Sequence, residues 1–239
     1  MSEELAGQQV LVIGGSKYLG EAVARRAAAA GARVTIGARD LEAASRVAAD
    51  LPHGQAVSLD VANEETIAAA AAWLGAVDHL VVTAAAHHNV PVEKLEHDRI
   101  VAAFEAKVVG PLLLAKHFAP ILPPTGSILL FSGVAAWKPA PEFAVMGVTN
   151  GAVSFLASHL AKELAPIRVN AISPGIIDSG TWDALGTDAK RGLLDDAAAS
   201  NLAGRVGTSD DIADVAVLLL GAGFVSGETI HVEGGARHA

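Results

Sequence analysis

The chain has 239 residues, no cysteine, a formal net charge of -9, and a composition that is 51% hydrophobic and only 18% charged. Lack of cysteine removes disulfides, thiolate nucleophiles and zinc-thiolate sites, and an acidic balance without a long basic block argues against a nucleic-acid partner. Apolar runs such as Val215 to Val225 reach about half of the roughly 20 residues a membrane span needs, and the acidic start Met1-Ser2-Glu3-Glu4 fits neither a signal nor a transit peptide, so a cytoplasmic protein without a membrane partner is expected.

Short β-branched runs alternate with alanine-rich stretches of helical period. A strand is expected over Gln9 to Ile13 and a helix over Gly20 to Ala30, then a strand over Arg33 to Ile36 and a helix over Leu41 to Leu51. The alternation continues with Ala56 to Leu59, Glu64 to Leu74, His79 to Thr83, a long helix from about His97 to Phe118, Ser127 to Phe131, and a second long helix from about Phe143 to Leu164. After Arg168 to Ile172 the rhythm breaks at Ser173-Pro174-Gly175. A helix from about Asp210 to Leu220 and a strand near Thr229 to Val232 close the pattern. Apolar strands joined by helical crossovers predict an α/β fold, a doubly wound and mostly parallel seven-stranded sheet with helices on both faces. No repeat, low-complexity linker or composition shift divides the chain, so one Rossmann-type domain over 1–239 is expected. The irregular stretch at about 180–206 is expected to be a substrate-side lid within it.

The first strand runs into Gly14-Gly15-Ser16-Lys17-Tyr18-Leu19-Gly20 and a helix. A helix start offers unpaired N-H groups and a positive dipole end, and glycine lets a pyrophosphate come close. A tight strand-to-helix turn also needs glycine for conformational reasons alone; its place in the first βα turn favours a dinucleotide. The second strand ends Gly37-Ala38-Arg39, where an NAD site carries an acid for the ribose hydroxyls. Arg39 either clamps a 2′-phosphate, with Lys17 adding charge, or is a solvated arginine; the clamp is the favoured reading, and with it NADP(H) as cofactor.

From the glycine turn to Val232-Glu233-Gly234-Gly235, the chain resembles the short-chain dehydrogenase/reductase family. The resemblance rests on that turn, Asp60-Val61 after the third strand, Thr83-Ala84-Ala85-Ala86 after the fourth, Ile167-Arg168-Val169-Asn170, and Pro174-Gly175. It implies that Gly14, Ser16, Lys17, Leu19 and Gly20 meet the cofactor phosphates, Asp60 and Val61 the adenine, and Ala84 and Ala85 the length of the cofactor. Pro174, Gly175, Ile177 and Ser179 would lie at the nicotinamide.

The departures fall where the chemistry would occur. The family's catalytic Tyr and Lys align with Met146 and Asn150, its Ser with Gly133, one residue after Ser132, and its structural Asn with Lys107. Tyr18, the only tyrosine, aligns with the middle glycine of the turn, where its side chain is expected to crowd the pyrophosphate. The Lys and Asn types are thus exchanged between two positions of one relay, leaving an ammonium and an amide near the ribose and nicotinamide. A desolvated Lys107 would have its pKa lowered from roughly 10.4, as a proton donor or stabiliser needs; an interface or surface lysine on a long helix is the alternative. Ser132 and His87, in the loop His87-His88-Asn89, are further candidates for polarising or protonating a substrate. The resemblance implies that Trp137 and Trp182 fall in segments that line the substrate pocket, and no acid or histidine cluster has metal spacing.

The expectation is an NADPH-dependent reductase of a carbonyl or another polarised double bond, protonating through Lys107, a histidine or water. The alternatives are a silent NADP(H)-binding relative and a non-redox isomerase or cyclase. A small-molecule substrate and a homo-oligomer, dimer or tetramer, built on the two long helices complete the expectation.

Overall fold

The apolar runs and alanine-rich stretches sort into strands and helices as their periods demand. In the computed structural model, which describes residues 4–239, the strands are β1 (Gln9–Ile13), β2 (Arg33–Ala38), β3 (Gln55–Ser58), β4 (His79–Val82), β5 (Ser127–Phe131), β6 (Arg168–Pro174), β7 (Ile177–Asp178), β8 (Gly207–Thr208) and β9 (Thr229–Val232). The α-helices are α1 (Tyr18–Ala29), α2 (Leu41–Ala49), α3 (Glu64–Leu74), α4 (His97–Phe104), α5 (Gly110–Phe118), α6 (Ala144–Glu163), α7 (Thr187–Ala199) and α8 (Ser209–Gly221). Seven strands pair in the order β3-β2-β1-β4-β5-β6-β9, all parallel. The expected doubly wound sheet is therefore present, and β7 pairs with β8 in a small separate sheet.

Both faces of the sheet are covered, so its central strands are apolar on both sides. Along β5, Leu129 and Phe131 join a core with Val23 and Ala27 of α1 and Ile212 and Ala216 of α8. Ile128 and Leu130 join the opposite core with Ile67 of α3, Leu114 and Phe118 of α5, and Val153 and Ala157 of α6. Burying a side chain such as Phe118 stabilises the fold by about 1.5–3 kcal/mol. Alanines at 24, 27, 213 and 216 have no exposed surface and let α1 and α8 approach closely.

Side-chain caps start three of the helices. Asp40 caps α2, Asn63 caps α3, and Thr208 and Asp211 form a reciprocal capping box on α8, whereas Lys17 at the start of α1 offers no side-chain cap. Arg168 closes the other end of α8 by donating to the carbonyls of Leu219 and Leu220 at 2.8 and 2.6 Å.

The long helix expected over 97–118 contains a π-helical segment, Glu105–Val109, between α4 and α5. Its cause is local. Pro111 has no N-H to give the carbonyl of residue 107, and Gly110 donates instead to Glu105, five residues back.

Helix α6, with 20 residues and a mean hydropathy of 1.2, is long and apolar enough to cross a membrane by length and composition. In the fold it packs on β6 and β5 and carries polar residues through its middle. Segment 180–206 is more regular than its sequence suggests, since it holds a 3-10 turn (Asp183–Leu185) and α7. No residue of α7 is buried; Lys190 ties it to Asp178 and Asp183 at 2.8 and 2.7 Å.

Candidate active site and cofactor cradle

The π segment sets Lys107. Widening the helix there turns this side chain inward until it is only 6% exposed. Its Nζ donates to the carbonyl of Phe131 at 2.7 Å and that of Ser132 at 3.4 Å, at the C-terminal end of β5. No carboxylate among the described residues pairs with it, so burial disfavours the charged form and lowers the pKa to about 8. Near neutral pH this ammonium is charged yet ready to release a proton.

Asn150 lies on the buried side of α6 at 3% exposure. A Cβ added at Gly133 would stand 2.6 Å from the amide Nδ2, so the carboxamide lies directly over that glycine. Its Oδ1 is buried without a hydrogen-bond partner among the described residues. Gly133 has an extended backbone that any residue can adopt, so it is space and not conformation that calls for glycine here. Lysine on the π segment and amide on α6 thus flank the Ser132-Gly133 stretch from two elements.

Ser132 does not face this space. Its hydroxyl donates to the carbonyl of Asn150 at 2.8 Å and accepts from Ser154 at 3.0 Å, which locks β5 to α6. Strand alternation explains the direction, because Ser132 shares the α6-facing parity of Leu130. Met146 stands half-buried four residues before Asn150.

His87 sits exposed in the loop after β4, and its pKa is lowered by partial burial and then by the charge of Lys107, which places the two in one electrostatic neighbourhood. His88, by contrast, is 7% exposed and accepts from the Glu96 N-H through Nε2, so it braces the loop. Trp137 meets His231 edge to face, with ring centroids 5.0 Å apart. Trp182 donates to the carbonyl of Ile177 at 3.0 Å, and Lys138 donates to the carbonyl of Ser200.

The cradle lies at the same end of the sheet. Gly14 has φ +83, and a Cβ there would stand 2.6 Å from Oγ1 of Thr83, which itself donates to the Ile13 carbonyl. Ser16 and Leu19 are half-buried and Gly20 is buried within the turn. Tyr18 takes the left-handed conformation at φ +54 that glycine adopts at low cost, and its ring points outward, 41% exposed, against Gly180. Lys17 has its Nζ 5.1 Å from the centre of that ring.

Arg39 is exposed at the end of β2 and forms no ion pair among the described residues, while neighbouring Asp40 is occupied as the α2 cap. Asp60 Oδ1 accepts from the Ala62 N-H, and buried Val61 has Gly110 pressed onto its carbonyl. Ala84 and Ala85 follow β4 with Ala85 exposed. Pro174 is buried at the end of β6; a Cβ at Gly175 would stand 2.8 Å from Cα of Glu233. Ile177 is buried under Gly207, whereas Ser179 is half-buried beside Thr181 with hydroxyls 3.0 Å apart. A cleft of about 580 Å³ lies farther out in segment 180–206, lined in part by Lys190 and Leu194.

A parallel sheet in this order with its glycine turn at one end defines a Rossmann-like fold of the dinucleotide-binding kind, and the comparisons narrow it to a family of oxidoreductases. A family model described as Enoyl-(Acyl carrier protein) reductase matches residues 15–237, and the chain belongs to the short-chain dehydrogenase/reductase family. It is 31% identical to "Short-chain dehydrogenase/reductase ucsE" of Acremonium sp over 98% of this chain and 97% of that one. It is 32% identical to a 3-oxoacyl-[acyl-carrier-protein] reductase of Bos taurus over 94% and 95%. Among solved structures, a small-chain dehydrogenase in complex with NADPH shares 29% identity and a TM-score of 0.85, covering 98% of this chain and all of that one.

The family binds a nicotinamide cofactor, and the residues here fit one. The α1 start has no side-chain cap on its N-H groups, and Lys17 beside it and Arg39 at the end of β2 have no carboxylate partners among the described residues. The sequence reading missed the π segment and the Gly133-Asn150 contact. Gly110-Pro111 inside a helical pattern was the available signal for the first.

Proposed function

We propose that this protein is an NADPH-dependent reductase of a carbonyl or another polarised double bond, in which Lys107 supplies the proton. The observation that carries the reading is the Lys107 ammonium, buried without a counterion among the described residues and with its pKa lowered to about 8. When bound, the cofactor would supply hydride. The chain's own residues do the rest. Lys107, held by the carbonyls of Phe131 and Ser132, presents positive charge where negative charge develops on the substrate and can give up a proton there. The Asn150 carboxamide, with an unpartnered oxygen, orients a polar group beside it. His87, exposed and electrostatically linked to Lys107, offers a route for proton return from solvent.

Arg39 and Lys17, both cationic and without carboxylate partners among the described residues, support a 2′-phosphate and hence NADPH over NADH. Segment 180–206, exposed and tethered by Lys190, acts as the lid of one continuous domain. Exposed Val101, Val109 and Leu112 on one long helical unit and Val148 and Phe155 on α6 support a homo-oligomer built on those faces. A second reading, a cofactor-binding protein without turnover, is favoured by one observation: Ser132 is turned away and no hydroxyl stands at Gly133 or Met146.

The test is a screen of carbonyl compounds with NADPH, beginning with 3-oxoacyl thioesters because a relative is named for them. Turnover should fall as pH rises through about 8 and drop at least roughly 100-fold in Lys107→Met, since general acids contribute about 10²–10⁴-fold. Unchanged turnover in that variant would remove Lys107 from the chemistry; NADPH binding without turnover on any substrate would favour the second reading.

A further inference from the structure

The phosphate turn and segment 180–206 meet through one side chain. Tyr18 opens α1, and the edge of its ring lies against Gly180: a Cβ added at Gly180 would stand 3.4 and 3.5 Å from ring carbons Cδ1 and Cε1. Gly180 itself has φ +89, a conformation that suits glycine, and stands after Ser179 at the start of the segment. The ring therefore bridges the gap between the uncapped N-terminus of α1 and the start of the segment that covers the site.

Two features show that this position is maintained against a cost. A non-glycine residue at φ +54 is conformationally disfavoured, and a glycine would remove that strain. Partly exposed aromatic surface is likewise not retained by burial, since the ring is 41% accessible. What holds it is the contact with Gly180 on one side and the Lys17 ammonium 5.1 Å from the ring centre on the other. Both partners belong to the rim of the anion site. The ring stands between the turn and residues 179–180, two stretches that the cofactor reading sets along the dinucleotide.

We infer that Tyr18 is a hinged cover on the phosphate site, closing the turn against Gly180 and swinging off it whenever a dinucleotide enters or leaves. The inference rests on the cofactor reading above. Because a bridge across an entrance opposes passage in both directions, it sets the rates of binding and release more than the affinity. Ring contact, not the phenol hydroxyl, is what the geometry provides.

Two measurements test it on the intact chain. Stopped-flow NADPH fluorescence should show association and dissociation both faster by roughly tenfold in Tyr18→Gly, with the dissociation constant moving much less, and Tyr18→Phe close to the parent protein. Glycine suits the backbone at φ +54, so the variant keeps its fold. The single tyrosine also allows one-site labelling: a 3-fluorotyrosine-substituted protein gives one ¹⁹F resonance, which should shift when NADPH is added. If NADPH binds while Tyr18→Gly leaves both rates unchanged, or while the ¹⁹F resonance stays unmoved, the cover is overturned and the cofactor reading stands. If neither NADPH nor NADH binds, both fall together.

Discussion

The Asn150 carboxamide occupies the space that any side chain at Gly133 would need, with the amide nitrogen 2.6 Å from the Cβ position. The two residues are a matched pair drawn from different elements, the end of β5 and the middle of α6. Restoring a family-like serine on one side alone is a steric error.

Gly133→Ser should therefore destabilise the protein by about 1–3 kcal/mol, the usual cost of overpacking a filled interior. Asn150→Ala in the same chain should recover most of that loss. Urea unfolding of both single variants and the double variant measures the coupling, and simple additivity would show that the two side chains do not compete.

Lys107 makes the fold sensitive to alkaline pH. Its folded pKa of about 8 lies below the unfolded value near 10.4, so the unfolded chain binds more protons between these limits and the lysine's contribution to stability rises with pH across that window. Below about pH 8 both states are charged and the folded state carries the full burial penalty, on the order of 3 kcal/mol. Lys107→Met should raise the melting temperature at pH 7 by a few degrees, less than the full penalty because two carbonyls lose their donor, and should flatten the curve between pH 8 and 10.5. A variant less stable than the parent at pH 7 contradicts this account.

At the opposite end of the sheet, His79 accounts for an acid response. It is 3% exposed, with one ring nitrogen 2.8 Å from Ser127 Oγ and the other 2.9 Å from Gln8 Oε1. Burial first, then the charge of Arg168, lowers its pKa to about 4, against a smaller opposite pull from Asp78. As pH falls from about 6.5 to 4 the unfolded chain takes up a proton that the folded one refuses, and stability drops by about 3 kcal/mol. Chemical unfolding across that range in the parent and in His79→Gln should show the slope in the parent only; equal slopes would acquit this residue.

Arg39 should decide between the two dinucleotides. A charge-assisted clamp contributes about 1.5–3 kcal/mol, so Arg39→Ala should weaken NADPH binding by roughly 10–100-fold and leave NADH almost unchanged. Fluorescence titration with each cofactor reads this directly, and an equal loss for both would mean that Arg39 does not touch a 2′-phosphate.

Much of the architecture was legible in the chain because burial on both faces forces continuous apolar strands, and helices over a sheet need an apolar stripe. The seven strand positions, the glycine turn and the long helices followed from that periodicity. The alignment of Lys107 and Asn150 with exchanged family positions was also visible, as was the absence of any tyrosine but Tyr18. Side-chain direction at the strand ends was not. Ser132 and Gly133 are neighbours in sequence, but strand parity sends the hydroxyl of one into α6 while the bare backbone of the other receives an amide from that helix. Burial and counterions are likewise sums over distant elements, so only the packed structure could leave Lys107 enclosed with two carbonyls and, among the described residues, no acid. Local periodicity determined which elements form; contacts between residues far apart in the chain decided what those elements present to a ligand.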